Sequence, residues 1–116
     1  MKIIHYSEAE PKHFDGDNVQ GVTGRVLIGQ SDGAKNFCMR IFELAENGFS
    51  PKHSHEWEHE IIIHSGKGEV LYNGNWVPVT KGYVLFIPGN EDHQIRNTGK
   101  DPLVFVCSIP AGVPEL

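Results

Sequence analysis

Cysteine is scarce in this chain: Cys38 and Cys107 are the only two and form no C-x-x-C pair. That excludes a disulfide scaffold and a zinc ribbon. Positive charge is scarce as well, with ten Lys and Arg against fifteen Asp and Glu, a net charge of −5 and no basic run. A phosphate-tracking surface is therefore missing, and nucleic acid is not an expected partner. No apolar run approaches the roughly 18 residues of a membrane helix, and the start turns polar after Ile3 and Ile4. These absences predict a soluble, untargeted, cytoplasmic protein with no membrane partner. Good helix formers are few, since Ala and Leu total ten whereas Val and Ile total twenty. β-Branched side chains suit a pleated surface, so strands are expected to dominate.

At 116 residues and 12.9 kDa the chain fits one domain with one modest core. Thirteen Gly and seven Pro punctuate it, and no dozen residues between such breaks sustain a 3.6-residue period. The sequence predicts at most a helical turn or two. Eight short strands are readable: 22–28, 37–44, 60–64, 69–72, 76–79, 83–87, 94–97 and 103–109, a count that suits a sandwich or barrel. Asn73-Gly74 between two of them is a hairpin signal, because both residues tolerate positive φ. Residues 1–20, with charge, Pro11, Gly16 and weak periodicity, are expected as an N-terminal arm, 21–110 as the barrel and 111–116 as a C-terminal tail.

What the chain has in excess is histidine, seven in all. His53, His55 and His59 crowd one short segment, and His93 follows later. On extended backbone, residues i and i+2 share a face, so His53 and His55 can aim at one point. Imidazole is a common ligand of divalent transition metals, and four neutral rings leave such an ion its full charge and, in an octahedral shell, two open positions. That suits a working centre rather than a closed structural one. His5, His13 and His64 have no motif behind them and are expected to be ordinary surface residues.

The two histidine segments carry a family pattern. His53-x-His55, then His59, then Gly66 six residues beyond, and later Gly82, Pro88, His93 and Asn97 at the motif's spacings, resemble the two motifs of the cupin superfamily. Gly48 lies one residue nearer to His53 than that pattern asks. Asn90 replaces a motif glycine, a swap that left-handed backbone tolerates, and His59 stands where many members have glutamate. In this it is similar to small single-domain cupins of the cupin_2 type with a four-histidine metal site. The resemblance implies an all-β fold, an antiparallel cupin or jelly-roll β-barrel (double-stranded β-helix). It also implies one divalent transition metal per chain, with manganese favoured and iron, nickel, zinc and copper open, and a homodimer.

Glu60 is the rival fourth ligand. Gly66 lies six residues after His59 but five after Glu60, and Glu60 has the wrong parity for the face that His59, Ile61 and Ile63 would share. Both points favour His59. Arg40 and Cys107 are the candidate catalytic residues. Arg40 points either to solvent or inward, where it would pair with a substrate anion; Cys107 is either a packing residue or a cavity group. The resemblance makes Ile61, Ile63, Ile95, Phe105 and Ile109 further pocket candidates. Asn97 is expected to complete a turn at the strand end. Glu91 and Asp92 are expected as rim charges, and Trp57 and Glu58 as a loop pair.

The expected function is that of an enzyme acting on a small oxygen-bearing organic molecule chelated to the metal. Oxygenase-type chemistry, a dioxygenase or other oxidoreductase, is favoured because no carboxylate base is evident. The alternatives are a non-oxidative decarboxylase, lyase or isomerase on an anionic substrate, and a non-enzymatic small-molecule or metal sensor.

Overall fold

The computed structural model describes residues 1–116. Nine strands form one curled, antiparallel sheet system: β1 (Lys12–Gly16), β2 (Val19–Ile28), β3 (Phe37–Phe49), β4 (His59–Ser65), β5 (Lys67–Tyr72), β6 (Asn75–Thr80), β7 (Val84–Ile87), β8 (Ile95–Asn97) and β9 (Leu103–Pro110). The hydrogen-bonded order is β6-β5-β8-β3-β9-β4-β7, with β2 on β3 and β1 on β2. Helix is confined to single 3-10 turns at Tyr6–Glu8 and Gln30–Asp32. The chain is thus an all-β barrel, and all eight strands expected from the sequence are present.

Two differences from the sequence reading have local causes. Residues 12–16, expected within an arm, pair with β2; this strand offers one apolar residue, Phe14, so it carries no readable alternation. Strand β3 runs five residues past its expected end at Leu44. Ala45-Glu46-Asn47-Gly48 reads as a turn, yet it is an irregularity within the strand: Asn47 has φ 64° and the β2–β3 register shifts between Gln20 and Val22. Such a bulge bends a strand, and here it lets β3 leave β9 and meet β8 at Phe49 and Arg96.

Alternation decides what faces inward. The row Arg40–Cys107–Ile61–Leu85 crosses β3, β9, β4 and β7 on the inner face, whereas Met39–Ser108–Glu60–Phe86 crosses them on the outer face. The core gathers thirteen buried residues, including Leu44, Ile63, Leu103, Phe105 and Ile109. Asn73 (φ 50°) and Gly74 (φ 75°) close the β5–β6 hairpin in the left-handed geometry read from the sequence.

Asn97 is 6% exposed and holds a corner. Its Nδ2 donates to the carbonyls of Leu44 (2.9 Å), Ala45 (3.1 Å) and Asp101 (2.9 Å), while its Oδ1 accepts from Gly99 N (2.7 Å). Alanine there leaves buried backbone groups without partners, a loss of about 2–4 kcal/mol. Urea unfolding of Asn97→Ala should show a lower midpoint with an unchanged slope; an unaltered midpoint would contradict this role.

Candidate metal centre

The four motif histidines come from three places: His53 and His55 from the segment between β3 and β4, His59 from the first position of β4, and His93 from the turn before β8. Backbone bonds clamp the two loops. His53 N donates to His93 O (3.2 Å), His93 N to His53 O (3.0 Å), and Asn90 N to His55 O (2.6 Å). Asn90 adopts the left-handed conformation (φ 64°), as expected for a residue replacing glycine. Gly89 is needed for a different reason, since a Cβ there would run into the Glu56 carbonyl.

The rings converge. Centroid separations are 4.5 Å for His53–His93, 4.6 Å for His55–His59, 4.9 Å for His59–His93, 5.1 Å for His55–His93 and 5.2 Å for His53–His55. Donor atoms of His53, His55 and His93 all lie within 4.8 Å of one another, a spacing that one ion with bonds of about 2.0–2.2 Å closes with small movements.

Three of the rings share one arrangement. Nδ1–H of His53 donates to Pro51 O, that of His55 to Trp57 O and that of His93 to Glu91 O, each at 2.9 Å. A carbonyl can only accept, so the proton sits on Nδ1 and Nε2 carries the lone pair. Fixing the far nitrogen in this way is how proteins orient imidazoles toward a metal. The Trp57 ring, stacked on His55 with centroids 4.1 Å apart, holds that ring further.

His59 differs. Its Nε2 lies 2.8 Å from His55 Nε2, but its Nδ1 faces Arg40 Nη2 (3.3 Å) and Cys107 Sγ (3.1 Å) rather than a carbonyl. Arg40 can only donate, so in the metal-free chain His59 Nδ1 accepts and the ring's proton sits on Nε2, directed at His55; for Nε2 to ligate an ion that proton must move to Nδ1, where Cys107 Sγ at 3.1 Å can accept a hydrogen bond from it. The three carbonyl-fixed rings His53, His55 and His93 thus fit a divalent transition ion, and His59 lies beside them in a distinct setting.

Burial, then the neighbouring cationic groups, pushes the His59 pKa down to about 3. Burial also lowers His93 and His55. All three are neutral at pH 7, the form that binds a metal. Burial raises the Cys107 thiol against the pull of Arg40, so it holds its proton.

Beside the rings lies a cavity of about 230 Å³ whose sixteen lining residues include ten hydrophobic ones. Of the sequence candidates, Arg40, Ile61, Ile95, Phe105 and Cys107 line it together with His53, His59 and His93. Arg40 points inward and is 7% exposed, and Cys107 touches both Arg40 and His59. Ile63 and Ile109, also expected at the pocket, are enclosed by the core at 1% and 0% exposure and have no surface left to face it. Glu60 is exposed on the outer row beside Ser108 and Phe86. Phe14, Val19, Val22, Leu44 and Leu116 are walls that the sequence reading missed. Phe14 and Val19 stood in the expected arm and Leu116 in the expected tail.

A small β-barrel whose mouth gathers imidazoles from two clamped loops defines the class. The chain belongs to the Cupin_2 family (Cupin domain), whose pattern matches residues 40–109. Its fold is similar to the solved structure of the polyketide cyclase RemF from Streptomyces resistomycificus, at 31% identity and TM-score 0.88, covering 95% of this chain and 79% of that one. It is 30% identical over 116 residues to the tetracenomycin polyketide synthase protein TcmJ of Streptomyces glaucescens, covering 97% of this chain and 75% of that protein. It is also 30% identical over 94 residues to glucose-6-phosphate isomerase of Thermococcus onnurineus, covering 71% of this chain. The chain spans about half the length of that isomerase.

Proposed function

We propose that His53, His55, His59 and His93 hold one divalent transition metal, manganese favoured, and that the protein is an enzyme acting on a small oxygen-bearing organic molecule. The observation that carries this reading is the shared orientation of three imidazoles, each fixed by a carbonyl at 2.9 Å, around one point. A bound ion would supply Lewis acidity to an oxygen of the substrate. The chain's own contribution is to present neutral nitrogens, to keep the Cys107 proton in place, to offer the Arg40 cation and to exclude water with apolar walls.

Two reaction classes use such a site. Non-oxidative chemistry, an isomerisation or ring closure, is supported by the names of the relatives, a polyketide cyclase and a glucose-6-phosphate isomerase, and we place it first. Oxygenase chemistry is supported by the cavity wall, which includes no carboxylate to act as base. Protein loaded in turn with manganese, iron, nickel, zinc and copper should take up one ion per chain. Turnover of β-diketones, flavonols or keto acids without oxygen uptake supports the first class, and oxygen consumption the second. Saturable binding with no product would make the chain a sensor, and failure to take up any ion stoichiometrically would remove the reading.

A further inference from the structure

The chain's ion pairs join Lys2 to Asp32 and Arg96 to Glu69, both at the surface. Arg40 has none, although it is the most deeply placed cation of the chain, at 7% exposure. Its Nη1 donates to the Glu115 main-chain carbonyl (3.1 Å), its Nη2 to Cys107 Sγ (3.0 Å) and, at 3.3 Å, to His59 Nδ1, and its Nε has no partner at all. The Phe42 ring lies 4.9 Å from its Cζ. Every one of these neighbours is formally neutral. A guanidinium stays charged in proteins, and buried charges are as a rule paired. Its missing counter-ion has one open place to sit, the cavity that Arg40 lines.

The remainder of that cavity describes the rest of the ligand. Among the lining residues Phe14, Val22, Phe42, Leu44 and Phe105 are apolar, and Ser50 Oγ already accepts from Ile95 N and donates to Ile95 O; away from Arg40, Cys107 and the histidines a ligand hydroxyl finds no free partner, and an unpaired buried hydroxyl is costly. An apolar cavity of about 150 Å³ takes one benzene ring, so 230 Å³ accommodates an apolar group larger than one ring. We propose that the ligand is a largely apolar molecule with one anionic oxygen group, a carboxylate or enolate, and that Arg40 is the residue that selects it. This rests on the functional reading of the same cavity, to which it adds the substrate class. A divalent ion among neutral imidazoles strengthens the demand for an anion, but the guanidinium imposes that demand in the metal-free chain as well.

The probes are 2-naphthoate, its neutral isostere 2-naphthamide, and glucose 6-phosphate, titrated calorimetrically into metal-stripped and manganese-loaded protein. Naphthoate is expected to bind tighter than the amide in both forms, and glucose 6-phosphate more weakly than naphthoate. Arg40→Met should weaken naphthoate about 10- to 100-fold, the worth of a charge-assisted bond, and leave the amide within about threefold. Arg40→Lys, which keeps charge but loses the fork, should fall between. Methionine removes an uncompensated buried charge, so its thermal midpoint should not drop; should that variant fail to fold, the naphthoate-to-amide ratio in the natural chain and in Arg40→Lys decides. Equal affinities for acid and amide, no binding of either, or a preference for glucose 6-phosphate overturns the proposal. If the histidines take up no metal yet the acid is still preferred through Arg40, the functional reading fails and this one stands; metal uptake without that preference gives the reverse.

Discussion

Purified His59→Ala protein is expected to lose metal affinity by at least about 100-fold, whereas Glu60→Ala retains the natural chain's metal content. The two residues are adjacent but face opposite ways. His59 is 7% exposed, with Nε2 2.8 Å from His55 Nε2; Glu60 lies on the outer row with Met39, Ser108 and Phe86. A strand cannot bring both to one ion without slipping its register by one residue, which would turn Ile61 and Ile63 out of the core. Loss of an outer residue that merely orients a ligand already costs 10–100-fold, so loss of a direct ligand sets the larger figure. Elemental analysis after dialysis against a defined free-metal concentration reads the result. Glu60→Ala as the poorer binder would defeat the four-histidine assignment, and equal retention by both would reduce the centre to the three carbonyl-fixed rings.

That test turns on parity, which was legible in the sequence, and the same holds for much of the barrel. Val70, Val79, Phe105 and Ile109 advertise strands because β-branched and aromatic residues are concentrated in those segments, and the Asn73-Gly74 hairpin is written in two residues. What stayed hidden depends on contacts between distant segments. Phe14 reveals nothing alone and becomes a wall only when β1 pairs with β2. Asn47 and Gly48 look like a turn because a bulge and a turn use the same left-handed or side-chain-free residues. The orientation of Arg40 is set by its register opposite Cys107, and a strand with apolar residues on both faces leaves that register open. The spacing of the histidines foretold that they would meet, but not that His59 would rest against a thiol and a guanidinium instead of a carbonyl.

Acid should weaken the metal-free fold, beginning near pH 6.5. A histidine in the unfolded chain titrates near 6.5, while the folded pKa values of His55, His59 and His93 are lowered, that of His59 to about 3. Above pH 6.5 these rings are neutral in both states and stability does not depend on them. Below it the unfolded chain takes up protons that the folded chain refuses. Stability therefore falls with pH, by up to about 1.4 kcal/mol per unit for His59 alone, until its folded pKa is reached. His55 and His93 act with the same sign. A bound ion stabilises only the folded form, and because the lowered pKa values keep these rings neutral in the folded chain, release of a metal held by them should occur at lower pH than free imidazole would dictate. Urea unfolding of the metal-free protein between pH 7.5 and 4.5 should give a steadily falling midpoint whose slope is shallower in His59→Gln. A midpoint that stays level or rises on acidification would show that these rings are not held neutral, and would remove the electrostatic basis for a metal at this centre.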